Sequence, residues 1–273
     1  MGAAVSPSAD SPVPEVRLEV GDGVATITLN RPEARNMLTS SGMTLLAEHL
    51  RAAGADEAVR VIVLTGSGNT FCSGADLRGA SAADSESFTG SGPAGLVAVL
   101  EAIMDNPKPV IARVQGHVAG GGNGLVAAAD LSVAVESAKF AFSEVRLGLA
   151  PAVISVVCLA RMHRADAQEL LLTGERVPAA RMVAAGMVNR VVTDAALDDA
   201  VADWVAALSA GGPLAVAHTK DLLRAVPGMS RDVGFAHTSA LSAQLFASEE
   251  AQAGMMAFLS RQPAPWVRPG APS

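Results

Sequence analysis

The sequence predicts an α/β fold in which a mixed core is followed by helices alone. Two runs, Val16–Val20 and Val24–Leu29, flank a Gly-Asp-Gly turn and predict a β-hairpin. Further along, an apolar strand at Val110–Val114 leads through a glycine-rich turn into a short helix and a second strand at Leu131–Val135. From about Leu197 onward the pattern is helical until a proline-rich tail begins.

Three regions follow from this pattern: a disordered leader at 1–14, a core at 15–196 and a C-terminal helical region at 197–273. Arg78–Gly95 is rich in Ser, Ala and Gly and predicts a mobile loop, which is often functional in a globular domain. The remaining predicted elements are a helix capped by Thr39 or Ser40, a strand at Val59–Leu64, a helix at Leu96–Met104, a short extended piece at Lys139–Phe142, helices at Pro151–Met162, Ala165–Leu172 and Pro178–Ala185, and a strand at Val188–Val192.

The amino-acid composition limits the classes of function and partner that we expect. Half of the 273 residues are hydrophobic, so the chain can bury a large core, but only 3% are aromatic. The net charge of −7 argues against a nucleic-acid partner, which needs a basic face. Two cysteines, Cys72 and Cys158, lie in apolar segments and predict buried thiols. No signal-peptide pattern and no membrane-spanning run is present, so we expect a cytoplasmic protein with no membrane partner.

The glycine-rich turn is the first candidate for chemistry. Gly120, Gly121, Gly122 and Gly124 let the backbone adopt positive φ and let a ligand approach it. A helix that begins in such a turn leaves its first N–H groups unpaired, and these can hold a phosphate or a developing negative oxygen. A close-packed turn without a ligand is the alternative.

The segment Gly122-Asn-Gly-Leu-Val-Ala127 also fits the dinucleotide pattern G-x-G-x-x-A, with Glu136 placed to hold a ribose. We disfavour this interpretation because Leu125–Asp130 is under two helical turns, which predicts that the chain cannot cover a sheet and return parallel. No serine-nucleophile, Walker or metal-site motif occurs, and His117 stands alone before the glycines. The chemistry left is that of backbone N–H groups and a carboxylate.

Three segments resemble the signature segments of the crotonase, or enoyl-CoA hydratase/isomerase, superfamily. They are Phe71-Cys-Ser-Gly-Ala-Asp-Leu77, Gly116-His-Val-Ala-Gly-Gly-Gly-Asn-Gly-Leu125 and Phe142-Ser-Glu-Val-Arg-Leu-Gly-Leu-Ala-Pro151. The resemblance extends from about Val16 to the C-terminus. It implies a crotonase-type spiral of ββα units with a C-terminal helical trimerisation region, and a homotrimer or hexamer.

The resemblance also implies an acyl-CoA substrate whose thioester oxygen meets two backbone N–H groups, here those of Ala75 and Gly121. Coenzyme A is part of that substrate, and no further cofactor and no metal are expected. The substrate-binding residues implied by the resemblance are Arg35, Phe71, Ser73, Asp76, Leu77, Arg78, Gly120 and Gly124.

One departure from the family pattern bears on the reaction. Hydratases of the superfamily usually carry two glutamates; the second matches Glu144, but the first falls on Gly124. We therefore expect Glu144 to be the base and Gly124 to leave an empty space facing the acyl group. A surface acid paired with Arg146 is the alternative for Glu144. The third segment also weakly resembles methylglutaconyl-CoA-type hydratases.

We expect hydration of a 2-enoyl-CoA to a 3-hydroxyacyl-CoA through a thioester enolate. A double-bond isomerase or a ring-opening acyl-CoA hydrolase on the same scaffold is the first alternative. A non-catalytic acyl-CoA-binding or RNA-associated member of the family is the second. Acyl chain length and branching stay open at this point.

Overall fold

The computed structural model describes residues 14–76 and 85–267, with side chains in the second range described from residue 92. Most of the predicted leader, Leu77, Arg78 and the first part of the predicted loop lie outside the described residues. The strands are β1 Val16–Gly21, β2 Val24–Leu29, β3 Val61–Gly66, β4 Thr70–Cys72, β5 Val110–Val114, β6 His117–Ala119, β7 Leu131–Val135, β8 Lys139–Ala141, β9 Arg176–Pro178 and β10 Arg190–Val192. The helices are α1 Ser40–Ala55, α2 Ser85–Met104, α3 Gly121–Ala128, α4 Ala152–Arg161, α5 Arg164–Thr173, α6 Ala179–Ala184, α7 Leu197–Ala210, α8 Pro213–Ala225, α9 Arg231–Phe246 and α10 Glu249–Leu259.

Two sheets form the core. The larger has the order β1-β2-β3-β5-β7-β10 and is parallel except for the β1–β2 hairpin, and the smaller has the order β4-β6-β8-β9. Each of the pairs β3/β4, β5/β6 and β7/β8 places its first strand in the large sheet and its second in the small one, and a helix follows each pair. This is the predicted spiral of ββα units, and that prediction is confirmed.

Local sequence explains the first elements. The predicted hairpin forms with Val16 opposite Leu29. The side chain of Thr39 accepts a hydrogen bond from the Gly42 N–H at 2.9 Å and so caps α1, as its residue type favours. Met43, Leu46 and Leu50 recur at helical spacing on the buried face of α1. The long apolar runs become strands buried on both sides, such as β3.

One prediction about chain direction is wrong. β5 pairs with β7 in parallel, with Ile111 opposite Leu131, although a short crossover seemed to forbid a parallel return. The crossover does not begin at Gly124 but directly after Val114, and it includes β6 as well as α3. Sixteen residues, 115–130, are then available, which exceeds the minimum of about ten to twelve.

The predicted loop at Arg78–Gly95 is also partly wrong, because α2 begins at Ser85 and includes Pro93. Its C-terminal half carries the fully buried Val99 and Ile103, and Gly95 lies so close to α1 that an added Cβ would be 3.2 Å from Met43 Cε. Packing against α1 therefore outweighs the low helix propensity of the glycines and serines.

The C-terminal region is helical, as predicted, and its first helix belongs to the core. Leu197 and Val201 of α7 are buried among the core residues. Lys220 of α8 fastens the next helix, since its Nζ donates to the carbonyls of Ile103 and Lys108 at 2.9 and 3.1 Å. Among the described residues no single helix is both long and apolar enough to cross a membrane, although Asp194–Ala210 and Pro213–Gly228, bent by 108°, meet such a test together by length and composition.

Candidate active site

A cavity of about 510 Å³ lies where three strands of the small sheet end. Ser73–Asp76 follows β4, Gly120–Gly121 follows β6 and Ser143–Glu144 follows β8, so neighbouring strands deliver all three signature segments to one place. The lining residues are Leu38, Thr39, Ser40, Met43, Ser73, Gly74, Ala75, Asp76, Gly92, Pro93, Leu96, Gly120, Gly121, Ser143, Glu144, Leu147, Leu149, Ala150, Pro151, Ala152, Val153 and Ile154.

The backbone around Ala75 leaves one N–H group available. Ala75 forms an isolated parallel bridge with Leu38. Leu38 N–H donates to the Gly74 carbonyl at 2.8 Å, and Asp76 N–H donates to the Leu38 carbonyl at 3.0 Å. In a parallel bridge the N–H of the residue between these two bonds points away from the partner strand. The Ala75 N–H is thus free to meet an acceptor in the cavity.

The second N–H group belongs to Gly121, the first residue of α3, which follows the positive-φ residue Gly120. An N–H in the first turn of a helix has no partner within the helix. Gly74 brings the two segments together: its φ is +92°, and a Cβ added there would be 3.2 Å from Gly121 N. A glycine is therefore required for the two donors to lie side by side.

The carboxylate of Glu144 lies beside these donors. It stands in a 3₁₀ segment, Ser143–Leu147, and a Cβ added to Gly120 would be 3.7 Å from its Oε1. Its Oε2 is buried and accepts no hydrogen bond from the described residues. Burial raises the pKa of this carboxyl above its ordinary 4.5, and a backbone hydrogen bond offsets part of that rise. Arg146, the alternative partner, instead donates to the Thr173 carbonyl at 3.2 Å.

Gly124 does not face the cavity, which corrects its assignment as a substrate-binding residue. It is buried within α3, and a Cβ added there would be 2.5 Å from Ile154 Cγ2 and 3.5 Å from Leu100 Cδ2. The space expected to be empty is filled by Ile154, a lining residue from α4. Where the family pattern has its first glutamate, this chain therefore presents an apolar side chain from another helix.

The close packing of α3 gives a different reason for rejecting a dinucleotide site. A Cβ on Gly122 would be 2.6 Å from the Cys72 carbonyl, so Gly122 and Gly124 are needed for helix packing and not for a phosphate. The dinucleotide alternative fails for this reason, and not because of the length of the crossover.

The other predicted site residues divide into four groups. Ser73, Asp76 and Gly120 line the cavity. Phe71 is fully buried in the hydrophobic core and is not among the residues that line this cavity, so its assignment as a substrate-binding residue is corrected. Arg35 lines a separate cavity together with His117. Leu77 and Arg78 lie outside the described residues.

The structure offers few other reactive groups. Cys72 and Cys158 are buried and free, as predicted, and burial raises the pKa of each thiol to about 12. In the described ranges no group of three or more His, Cys, Asp or Glu side chains is arranged to hold a metal ion. The residues that the sequence did not mark as site residues are apolar: Pro93 from the unexpected part of α2, Leu96 from its predicted part, and Ile154.

Comparison with known proteins identifies the family. Residues 19–269 match the family described as Enoyl-CoA hydratase/isomerase. A putative enoyl-CoA hydratase of Thermus thermophilus is 34% identical over 253 residues, which cover 91% of this chain and 98% of that protein. A carnitinyl-CoA dehydratase of Citrobacter koseri is 34% identical over 249 residues, covering 89% and 94%. The crystal structure of a Mycobacterium smegmatis enoyl-CoA hydratase superposes with a TM-score of 0.89 at 35% identity, covering 94% of this chain and all of that one.

These matches span nearly the whole chain and agree with the spiral fold and the cavity at the ends of β4, β6 and β8. The chain belongs to the enoyl-CoA hydratase/isomerase family of the crotonase superfamily, and it is an acyl-CoA enzyme.

Proposed function

We propose that this enzyme hydrates 2-enoyl-CoA thioesters with an apolar acyl group, using Glu144 as the base and the N–H groups of Ala75 and Gly121 as the oxyanion hole. The observation that carries the proposal is that a half-buried carboxylate with a buried Oε2 lies at one cavity with two backbone N–H groups that have no partner among the described residues. Ser73, Asp76 and Gly120 line the same cavity, which supports a role for them in contacting the thioester side of the substrate.

The reaction needs a place for negative charge. When water attacks the β-carbon, the electrons of the double bond move through the α-carbon onto the thioester oxygen. Two N–H groups aimed at that oxygen stabilise the enolate more than the neutral thioester, and each donor of this kind is typically worth about 3 kcal/mol.

A single carboxylate can complete the addition. Glu144 accepts a proton from the attacking water while the remaining hydroxyl bonds to the β-carbon. The protonated Glu144 then returns that proton to the α-carbon as the enolate collapses, so one water is added and the carboxylate is restored. Burial favours the first half of this cycle, because a carboxylate with a raised pKa accepts a proton from water more readily.

The cavity wall favours apolar acyl groups. Its inner lining is dominated by aliphatic side chains, among them Leu38, Met43, Leu96 and Ile154. Among the described lining residues there is no Lys, Arg or His to pair with a distal carboxylate, and no aromatic ring to hold a quaternary ammonium such as that of a carnitinyl group.

Double-bond isomerisation is the second candidate, and the placement of Ile154 favours it. Ile154 fills the position where the family pattern has its first glutamate, which leaves Glu144 without that second acid. A single carboxylate can remove a proton from the α-carbon of a 3-enoyl-CoA, form an enolate held by the same two N–H groups, and return the proton to the γ-carbon to give the 2-enoyl-CoA. The products differ by one water, so mass spectrometry separates the two reactions.

The assembly and compartment are proposals too. Apolar side chains are exposed on the last two helices, including Phe246 at 64%, Phe258 at 83% and Leu259 at 78%. Monomers rarely expose such patches, so these residues support a trimer or a multiple of it. A cytoplasmic location is proposed because both thiols, Cys72 and Cys158, are free.

Purified enzyme incubated with straight, branched and carboxylated 2-enoyl-CoAs tests the function. We expect hydration of the apolar members and a fall in turnover of at least ~10²-fold in Glu144→Gln. Glu48→Gln is the matched control, since Glu48 is an exposed carboxylate on α1. Unchanged turnover in Glu144→Gln, or hydration confined to carboxylated substrates, would refute the proposal.

A further inference from the structure

A second cavity, of about 310 Å³, lies on the outer face of the four-stranded sheet and meets the first cavity at Ser73. Strand alternation explains its lining. The side chains of Val118 in β6 and Phe140 in β8 lie in the core, so those of the adjacent residues His117, Ala119 and Lys139 lie on the opposite face of the sheet. Its lining residues are Arg35, Asn69, Thr70, Cys72, Ser73, His117, Val118, Ala119, Lys139 and Arg176.

The charged groups in this lining all have the same sign. Arg35, Lys139 and Arg176 are cations, and the described lining residues include no Asp or Glu. No carboxylate of the described residues lies within ion-pair distance of these three side chains. A cluster of cations without counter-charge in a chain of net charge −7 attracts an anion, and the concave wall strengthens that attraction.

His117 supplies an oriented neutral donor. Its Nδ1 accepts a hydrogen bond from the Lys139 N–H at 3.2 Å, which leaves the proton of the neutral imidazole on Nε2. Partial burial and the charges of Arg176, Lys139 and Arg35 lower the pKa of His117 and favour this neutral form.

The loop that carries Arg35 is held in place. Arg35 and Asn36 both adopt positive φ, and the Asn36 amide donates to the Ser67 and Thr70 carbonyls, the former at 2.9 Å. The Arg35 carbonyl accepts from the Ser73 N–H at 3.1 Å, which joins this loop to the rim of the catalytic cavity. The cations thus extend from a fixed loop and from strands β8 and β9.

We propose that the outer face of the four-stranded sheet binds a phosphate ester or diphosphate through Arg35, Lys139 and Arg176, with His117 as a hydrogen-bond donor. Guanidinium groups match phosphate oxygens in pairs, and the cavity volume suits one or two phosphate groups and a small substituent. The ligand is either a phosphate group carried by the CoA thioester or a free phosphorylated metabolite.

Calorimetric titration with pyrophosphate tests the site without using turnover, so its result does not depend on the proposed function. We expect pyrophosphate to bind the wild type, and the double variant Lys139→Gln/Arg176→Gln to bind it at least ~10-fold more weakly, about 1.4 kcal/mol. Arg17→Gln is the matched control, because Arg17 is an exposed arginine on β1 at the far edge of the other sheet. Affinity should also fall as ionic strength rises.

Kinetics then separates the two sources of phosphate. If the substrate carries it, the double variant raises KM for 2-butenoyl-CoA at least ~10-fold, leaves KM for the corresponding pantetheine thioester unchanged, and CoA competes with pyrophosphate. If the ligand is free, both KM values stay unchanged and CoA does not compete. Equal pyrophosphate affinity in the wild type and the folded double variant, or no binding to either, would overturn the proposal.

Discussion

The contact between Gly124 and Ile154 predicts that Gly124→Ala destabilises the wild type but stabilises a variant that lacks the Ile154 side chain. An alanine at position 124 would place its Cβ 2.5 Å from Ile154 Cγ2, whereas carbon atoms normally approach to about 3.5–4.0 Å. Position 124 has no positive φ, so the backbone accepts alanine without strain. The steric overlap of about 1 Å is the main unfavourable effect in Gly124→Ala.

The magnitudes follow from two opposing contributions. Overpacking of this kind costs about 1–3 kcal/mol, and an overlap this deep in a fully buried helix lies at the upper end. Replacing glycine by alanine inside a helix contributes about 1 kcal/mol in favour of folding. We expect Gly124→Ala to lower the free energy of unfolding by about 2 kcal/mol in the wild type.

In an Ile154→Ala background the clashing methyl group is absent. Ile154→Ala alone should cost about 2–4 kcal/mol, because it removes a nearly buried side chain that lines a cavity. Adding Gly124→Ala to it should then stabilise the protein by about 1 kcal/mol through helix propensity. The resulting coupling of about 3 kcal/mol is at the upper end for residues in contact.

Urea unfolding of the wild type, the two single variants and the double variant measures these four free energies. Enzymes of this size can aggregate on unfolding, so reversibility has to be established for each variant. Additive effects, or a stabilising Gly124→Ala in the wild-type background, would show that Ile154 does not occupy this space. The family alignment at position 124 would then need a different structural explanation.

Two further predictions concern the C-terminal helices. Lys220→Met should lower the free energy of unfolding by about 3 kcal/mol, because it leaves Asp130, 2.8 Å from the buried Nζ, without its cation. Arg224→Met on the same helix is the control: it breaks an exposed pair with Asp105 and should cost less than about 1 kcal/mol in the same denaturation assay. Light scattering should show a trimer for the wild type and smaller species for Phe258→Asp, because the aspartate places a charge in the exposed apolar patch of α10. A wild type that is monomeric at micromolar concentration would contradict this.

Local patterns were sufficient for most strands and helices of the core. The hairpin and the strand Val110–Val114 were predicted at their observed positions because alternation and apolar runs depend only on nearby residues. The first half of α2 could not be predicted in this way. Its glycines, serines and Pro93 disfavour a helix, and the packing of α2 against α1, α3 and α4 compensates.

Site prediction from sequence reached the residues within motifs but not those that meet them in space. Ala75, Gly121 and Glu144 were placed by resemblance, and all three line the catalytic cavity. Ile154 lies 30 positions after Gly124 in an ordinary apolar helix, so no local signal marks its contact with α3. The cationic cavity was missed likewise, because Lys139 and Arg176 are ordinary exposed charges until the strand register brings them beside His117.

The partial burial of Glu144 predicts that Glu144→Gln lowers activity but raises stability at neutral pH. A carboxyl whose folded-state pKa lies above its unfolded value stabilises the protein only below the unfolded pKa, and this contribution is lost as the pH rises through the folded pKa. At neutral pH the ionised, unpartnered Oε2 is therefore a cost to folding. Glu144→Gln should raise the melting temperature at pH 7, and this gain should shrink as the pH falls towards the ordinary value of 4.5.

The raised pKa of Glu144 lowers stability at neutral pH, but it benefits catalysis by making this carboxylate a stronger base. In the proposed mechanism Glu144 has to be ionised to accept a proton from water, so the acid limb of kcat/KM for the wild type should lie above pH 4.5. Ile154 lines the same cavity as Glu144 and adds an apolar side chain where the family pattern has its first glutamate. Kinetic profiles and thermal unfolding between pH 4 and 8 test this directly. A Glu144→Gln variant less stable than the wild type at pH 7, or an acid limb at or below 4.5, would show that Glu144 is solvated and that its strength as a base has another origin.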